Sequence, residues 1–252
     1  MVWAIISADD PERKVEGHPI PTTAKTLITM QQSLAMVMPM KYSMSYQERV
    51  ALDNGTILSF RAIQPTDKSA LSEGFGQLSE ESRRRRFLTP KGGLSNKELH
   101  YFTEIDGVDH YAIVAVTITS TDGGPKGVGV TRIVRTDDDP EAAELAIVIA
   151  DSWQRRGIGR GLLERIVVAA AERGIKRIRA TSLTYNEQVR GLLEQYDGDV
   201  EIGPARDGVL QFTITVPPLN RLDVLDAMIT ILRLVALLGG TVVRPDASDK
   251  KS

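Results

Sequence analysis

Apolar and polar positions alternate along much of the middle of the chain, and the alternation gives way to a helical period at a few sharply marked places. "RVALDNGTILSFRAIQ", starting at Arg49, holds the pair Asn54-Gly55 between two alternating runs, which predicts a β-hairpin. "PTDKSALSEGFGQLSEESRRRRF" predicts one or two short helices, capped by Thr66 or Asp67 and by Ser79, and another helix starts at Ser95. "HYAIVAVTIT", "GVGVTRIVR" and "AELAIVIA" are strand-like runs separated by the turn clusters "STDGGPK" and "TDDDPE". Connections that short predict an antiparallel meander. "GRGLLERIVVAAAERG" then places Leu162, Leu163, Ile166, Val167 and Ala170 on one helical face and ends at Gly174. "IKRIRATSL" reads as a strand, "NEQVRGLLEQY" as a helix, and "DVEIG" with "VLQFTITV" as two closing strands. Strand, helix and strand between Ile147 and Ser182 make a crossover unit. The expected fold class is α/β (α+β mixed sheet), with a meander ahead of one parallel crossover.

The flanks read differently. Residues 1–46 show no sustained period and are expected to form an N-terminal extension, a partly disordered arm or a partner-binding strap, ahead of a domain over 47–217. In the last part, 218–252, Asn220 caps "RLDVLDAMITILRLVALL", where Asp223, Asp226, Thr230 and Arg233 recur at helical spacing. The wide apolar face of this helix, 220–238, needs cover, from its own domain or from a second copy in a homodimer. The tail "VVRPDASDKKS" reads as disordered.

Composition narrows the function classes. A length of 252 residues suits one medium domain with appendages. The formal net charge of −2 offers no general attraction to nucleic acid. Zero cysteines exclude disulfides, thiolate nucleophiles and cysteine-based metal sites, and fit a cytoplasmic protein. "MVWAIISADDPERK" has too short an apolar run for a secretory signal, and no stretch has the ~18 apolar residues of a membrane span. A soluble chain is expected, with neither a nucleic acid nor a membrane as partner.

The densest chemical signal is "DSWQRRGIGRGLL", residues 151–163, where three glycines and three arginines fall between a strand and a helix. A glycine-rich turn at that place leaves the first N–H groups of the helix without partners and partly positive, a natural seat for phosphate. A P-loop would need Gly-Lys where Gly161-Leu162 stands. A dinucleotide fold would need G-x-G-x-x-G and an acidic residue ~20 positions on, but the loop is Gly157-x-Gly159-x-Gly161 and the later region around Lys176, Arg177 and Arg179 is basic. "QRRGIG", Gln154 to Gly159, instead matches the Q/R-x-x-G-x-G/A motif, and from about Arg49 to Val216 the chain resembles the GNAT acetyltransferase superfamily in its order of elements. The resemblance implies the GNAT acyl-CoA N-acyltransferase fold and acetyl-CoA as co-substrate. It implies that Gln154, Arg155, Arg156, Gly157, Ile158, Gly159, Arg160 and Gly161 form the pyrophosphate cradle. It also implies that the pantetheine arm lies along Ile147, Val148, Ile149 and Ala150, and that Asn186 contacts the same arm.

Acetyl transfer needs a neutral amine. For a lysine of pKa ~10.4, deprotonation at pH 7 costs roughly 4 to 5 kcal/mol, and a positioned base contributes about 10² to 10⁴ in rate. Glu144 is the acidic residue within "AAELAIVIA", on one strand face with Ala146, Val148 and Ala150. It is the candidate general base, the role that GNAT enzymes commonly give a glutamate of this strand; an exposed glutamate at a strand start is the plainer alternative. Seven residues after the asparagine, where many members of the superfamily have a tyrosine acid, this chain has Leu193; Tyr196 lies three residues on, and Tyr185 or water are alternatives. His18, His100 and His110 lack metal-ligand spacing, so no metal is expected. The run Arg83 to Arg86 reads as a solvated helix end or as a substrate or phosphate contact. Around it, Ser82, Arg86, Phe87, Leu94, Ser95, Glu98, Leu99, Ile105 and Asp106 are similar to the matching part of the bacterial Pat-type protein lysine acetyltransferases. That similarity implies a protein lysine as acceptor amine. Many such enzymes carry a fused regulatory domain, and some 46 leading residues are too few to fold as one. The same residues also fit a small-molecule amine acetyltransferase, or an idle CoA-binding domain acting as sensor or scaffold.

Overall fold

The computed structural model describes residues 40–87, 91–118 and 125–219, the side chains of residues 85 and 86 excepted. The chain divides into two compact units at Pro218, and what was expected of the helix at 220–238 and of residues 1–39 lies outside the described residues.

Among the described residues, eight strands form one sheet in the order β1-β2-β3-β4-β5-β6-β8-β7. The hairpin β1 (Gln47–Ala51) and β2 (Ile57–Ala62) turns at Asn54-Gly55 as predicted. β3 (His110–Thr117), β4 (Gly127–Arg135) and β5 (Ala142–Ile149) form the antiparallel meander. β6 (Arg177–Leu183) runs parallel to β5, and β7 (Val200–Ile202) and β8 (Val209–Thr215) close the sheet.

The helices cover the two faces unequally. α1 (Lys68–Gly76), α2 (Glu80–Phe87) and α3 (Asn96–Thr103) precede β3, with Ser95 and Glu98 forming a capping box at α3. Asp67 serves the 3₁₀ turn before α1, accepting the Gln64 N–H at 2.8 Å, rather than capping α1 through its side chain. α4 (Ile158–Glu172) is the crossover helix, and α5 (Glu187–Glu194) follows β6. The helical period predicted for α4 is the face it buries: Leu162, Leu163, Ile166, Val167 and Ala170 are all at 2% exposure or less, against Tyr111, Ile133, Leu145 and Ile147 of the sheet. The opposite face of the sheet carries Ala112, Val114, Val116 and Val130 beneath α1 to α3.

The domain starts earlier than the boundary expected at residue 47. Tyr42 and Tyr46 are core residues at 4% and 8% exposure. The Glu172 carboxylate at the end of α4 accepts the N–H groups of Lys41 and Tyr42 at 2.8 and 2.9 Å. Arg173 lies 3.7 Å from the Tyr111 ring centroid and donates to the carbonyls of Tyr42, Gly107 and Ala169 at 2.8, 2.9 and 2.7 Å. This short strap has no period because it is held by the end of a distant helix rather than by neighbours in sequence.

Each buried carbonyl that loses its donor costs about 1–3 kcal/mol. Arg173→Leu is therefore expected to lower the unfolding free energy by about 3 kcal/mol or more in urea titration, and a loss under ~1 kcal/mol would remove Arg173 as the tie between the strap and α4.

Candidate active site

β5 and β6 pair over only three positions, Ala142 with Arg177, Ala143 with Ile178 and Glu144 with Arg179. Beyond them β5 stays with β4 to its end, while β6 follows β8 over its whole length. The Ala150 N–H donates to the Val128 carbonyl at 2.9 Å, and the Ala146 carbonyl accepts from Thr131 Oγ1 at 3.2 Å, so even positions turn their backbone groups toward β4. By the period of two, Ile147 and Ile149 turn theirs toward the gap that opens beside β6. The Ile149 carbonyl there accepts from Gln154 Nε2 at 3.2 Å.

At the end of β5 the chain makes a 3₁₀ turn, Asp151–Trp153, and enters α4 through two left-handed residues, Arg155 at φ 58° and Gly157 at φ 76°. Gly157 is the N-cap and supplies no side-chain cap. Its conformation is one that L side chains rarely adopt, which accounts for a glycine at that position. The first N–H of α4 with a helical acceptor is that of Gly161, bonded to the Gly157 carbonyl at 2.9 Å. The amides of Ile158, Gly159 and Arg160 precede it at the positive end of the helix dipole.

Two members of the expected cradle therefore have other work. Gly161 has spent its N–H inside the helix, and a Cβ there would sit 3.3 Å from Arg165 Nη1 and 3.4 Å from Phe60 Cζ, so this glycine serves close packing on β2. Gln154 turns inward, holding the Ile149 carbonyl and, at 2.9 Å, Asp151 Oδ1. Ile158 contributes only its backbone, since its side chain is 2% exposed. Around the amides, Arg155 is exposed, Arg156 lies 4.7 Å from the Trp153 ring centroid and Arg160 pairs with Glu164 at 2.7 Å.

Sequence reading passed over Asp151. Its carboxylate accepts from the Ser82 hydroxyl at 2.6 Å, from the Ser79 N–H at 3.0 Å and from Gln154, joining the start of α2 to the glycine loop. Burial pushes its pKa up, and these donors outweigh burial and hold it below the usual carboxylate range. The one local clue is an acidic residue directly after an apolar strand.

Glu144 is half-buried at the last paired position of β5, beside Val134 on β4 and Arg179 on β6. It shares a face with Ala146, Val148 and Ala150, which line an apolar cavity under α1. Asn186 is 3% exposed and caps α5, its Oδ1 accepting the Val189 N–H at 3.5 Å. Leu193 is a core residue, Tyr196 is half-buried with its phenol pKa raised by burial, and Tyr185 is 49% exposed beside Asn186. Arg83 stacks 5.0 Å from the Phe75 ring centroid and donates to the Gly76 carbonyl at 2.9 Å, so at this position the arginine run packs on the end of α1. Among the described residues, no three His, Asp or Glu side chains are grouped as a metal site, and no helix is long and apolar enough to cross a membrane.

A split strand pair with a glycine-cradled helix start beside it defines a class. Residues 77–198 match the model of the acetyltransferase (GNAT) family, and the chain carries a domain of that family. It is 29% identical over 171 residues to Acetyltransferase Pat of Mycolicibacterium smegmatis, covering 68% of this chain and 49% of the relative, so it spans about half of that protein's length. An acetyltransferase of Pseudomonas aeruginosa is 25% identical over 142 residues, covering 56% of this chain and 75% of the relative. The crystal structure of the GNAT domain of S. lividans PAT superposes with a TM-score of 0.60 at 29% identity, covering 71% of this chain and 99% of that one.

Arg132, which lines the cavity, holds a buried histidine. Arg132 donates to His110 Nε2 at 2.8 Å, which fixes His110 as an acceptor there and hence neutral. Burial, followed by the Arg132 charge, pushes its pKa down to about 3. The unfolded state takes up this proton near pH 6.5 and the native state does not, so stability falls by ~1.36 kcal/mol per pH unit below 6.5. We expect His110 to account for a loss of about 2 kcal/mol between pH 7.5 and pH 5 in urea titrations. His110→Gln should flatten that slope, and an unchanged slope would mean that His110 protonates in place.

Proposed function

We propose that the chain is an acetyl-CoA-dependent N-acetyltransferase acting on a primary amine, a protein lysine side chain. One observation carries the reading: three unspent helix amides stand at the end of a strand whose last residues have lost their neighbour on one side. Those amides, at Ile158, Gly159 and Arg160, suit a pyrophosphate, and Arg155, Arg156 and Arg160 offset its charge. The backbone of Ile147 offers an N–H and a carbonyl to the amide groups of a pantetheine arm lying in the gap. Acetyl-CoA supplies the acyl carbon activated as a thioester.

The amine nitrogen then gives its lone pair to that carbonyl carbon as the C–S bond breaks. The thiolate leaves with the bonding pair, and the amine's surplus proton passes to Glu144 directly or through water. Leu193 offers the thiolate no proton, so Glu144 is the group on which turnover depends most. The resemblance of the segment from Ser82 to Asp106 to the Pat-type protein lysine acetyltransferases supports a lysine over a free amine. Burial of Leu193 where a tyrosine would act also favours a second reading, an idle CoA-binding domain.

In calorimetry, Gly159→Glu places bulk and negative charge at the amides and is expected to weaken acetyl-CoA binding by more than ~100-fold, about two decades at 1.4 kcal/mol each. Acetyl-CoA failing to bind the wild type would remove the proposal. With a panel of acetylatable lysine peptides and free amines, Glu144→Gln is expected to lower CoA release by ~10²- to 10⁴-fold with acetyl-CoA affinity nearly unchanged. Equal turnover in the variant would take Glu144 out of the mechanism, and binding without CoA release from any amine would leave the idle domain.

A further inference from the structure

Beneath α1 and α2, on the sheet face that carries Glu144, lies a cavity of about 280 Å³. Its walls include Leu71 and Phe75 of α1, Val114 of β3, Val130 of β4, and Ala146 and Val148 of β5. About 10–15 Å³ suffices for one water, so this space far exceeds what the methyl of an acetyl group needs. Left empty, it forfeits dispersion contacts along every wall.

The charges at its border decide what fits. Among the described residues, the charged side chains of the lining are two arginines, Arg61 and Arg132, and one aspartate, Asp67. The Asp67 carboxylate is already held by both Arg61 terminal nitrogens, at 2.6 and 2.7 Å, and by the Gln64 N–H. An ammonium entering here would meet a surplus of positive charge and no uncommitted carboxylate, whereas a neutral hydrocarbon loses nothing. Glu144 stands two residues beyond Ala146 on the same strand face, outside the lining. The amine and the cavity's occupant are therefore separate along β5.

We propose that this cavity receives the acyl chain of the CoA thioester, so that the protein takes medium-length acyl groups as well as acetyl and binds them more tightly. The inference rests on the CoA-thioester reading above and extends it from the acetyl group to the acyl class. The step balances as before: the amine nitrogen bonds to the acyl carbon, the C–S bond breaks, and CoA leaves as thiolate.

The test is calorimetric titration of the full chain with CoA, acetyl-CoA and hexanoyl-CoA. Four additional methylenes at ~4-fold each set a ceiling of ~250-fold, and hexanoyl-CoA is expected to bind at least ~20-fold tighter than acetyl-CoA. Val130→Trp fills the cavity from the sheet and should bring hexanoyl-CoA back to the acetyl-CoA affinity while CoA itself binds as before. Leu71→Trp fills it from the half-exposed side of α1 and gives the same readout if Val130→Trp does not fold. Hexanoyl-CoA binding no tighter than acetyl-CoA, with both bound, would overturn the acyl pocket and leave the acetyltransferase reading standing. An equal loss of CoA and hexanoyl-CoA in the tryptophan variants would also overturn it. No binding of CoA or either thioester would remove the underlying reading as well.

Discussion

Strand β5 has to satisfy two neighbours that diverge. It is bound to β4 from Ala143 to Ile149, but to β6 only through Glu144, because β6 is committed to β8 from Arg177 to Leu183. An edge inside a sheet is unusual, since unpaired backbone groups away from water are costly. The rest of the site follows from that split. The gap has the backbone polarity of a strand edge, so an extended chain carrying its own amides is the ligand it suits. The same strand runs into the glycine loop, so such a chain would end beside the three free amides of α4.

The loop is held by a helix and by the sheet. Asp151 binds the start of α2, and Gln154 returns to the end of β5. A carboxylate with several donors in a half-buried place is a strong tie, since hydrogen bonds to a charged group contribute more than neutral ones. At the far end of α4, Glu172 and Arg173 fasten the strap at Lys41 and Tyr42. The crossover helix is thus fixed at its start by the glycine loop and at its end by the strap. The free amides can then keep their direction without a side-chain cap.

What the sequence revealed and what it hid divide along contact range. The strands, α3, α4 and α5 were legible because periodicity and capping are local: Ser95 with Glu98, or Leu162 with Ile166, are decided within a helical turn. Asp151 was hidden because its partners Ser79 and Ser82 lie about seventy residues earlier, and the strap at Tyr42 because Glu172 lies 130 residues away. The glycine motif was legible as a motif but not in its division of labour. Gly157 answers to a backbone angle and Gly161 to the approach of Phe60, and spacing cannot distinguish an angle from a neighbour. The cavity was equally silent, since Val114, Val130 and Ala146 read as ordinary strand positions and only their assembly leaves a space.

One strand nevertheless separates three tasks by its period of two. Side chains at Leu145, Ile147 and Ile149 enter the core under α4. The backbone at Ile147 and Ile149 faces the gap. Side chains at Ala146, Val148 and Ala150 line the cavity, and Glu144 lies on the same strand face outside the lining. Replacing Ala146 or Val148 by another apolar residue changes the shape of the cavity side while Leu145, Ile147 and Ile149 keep their places under α4. The helices α1 to α3 cover the face that carries the even positions. On the acyl-transfer reading proposed above, they can vary with the acyl group and the acceptor while the odd positions keep the sheet closed against α4. On that reading the fold separates the part that would bind a common donor from the part that would select what is joined to it, and that separation is physical before it is functional.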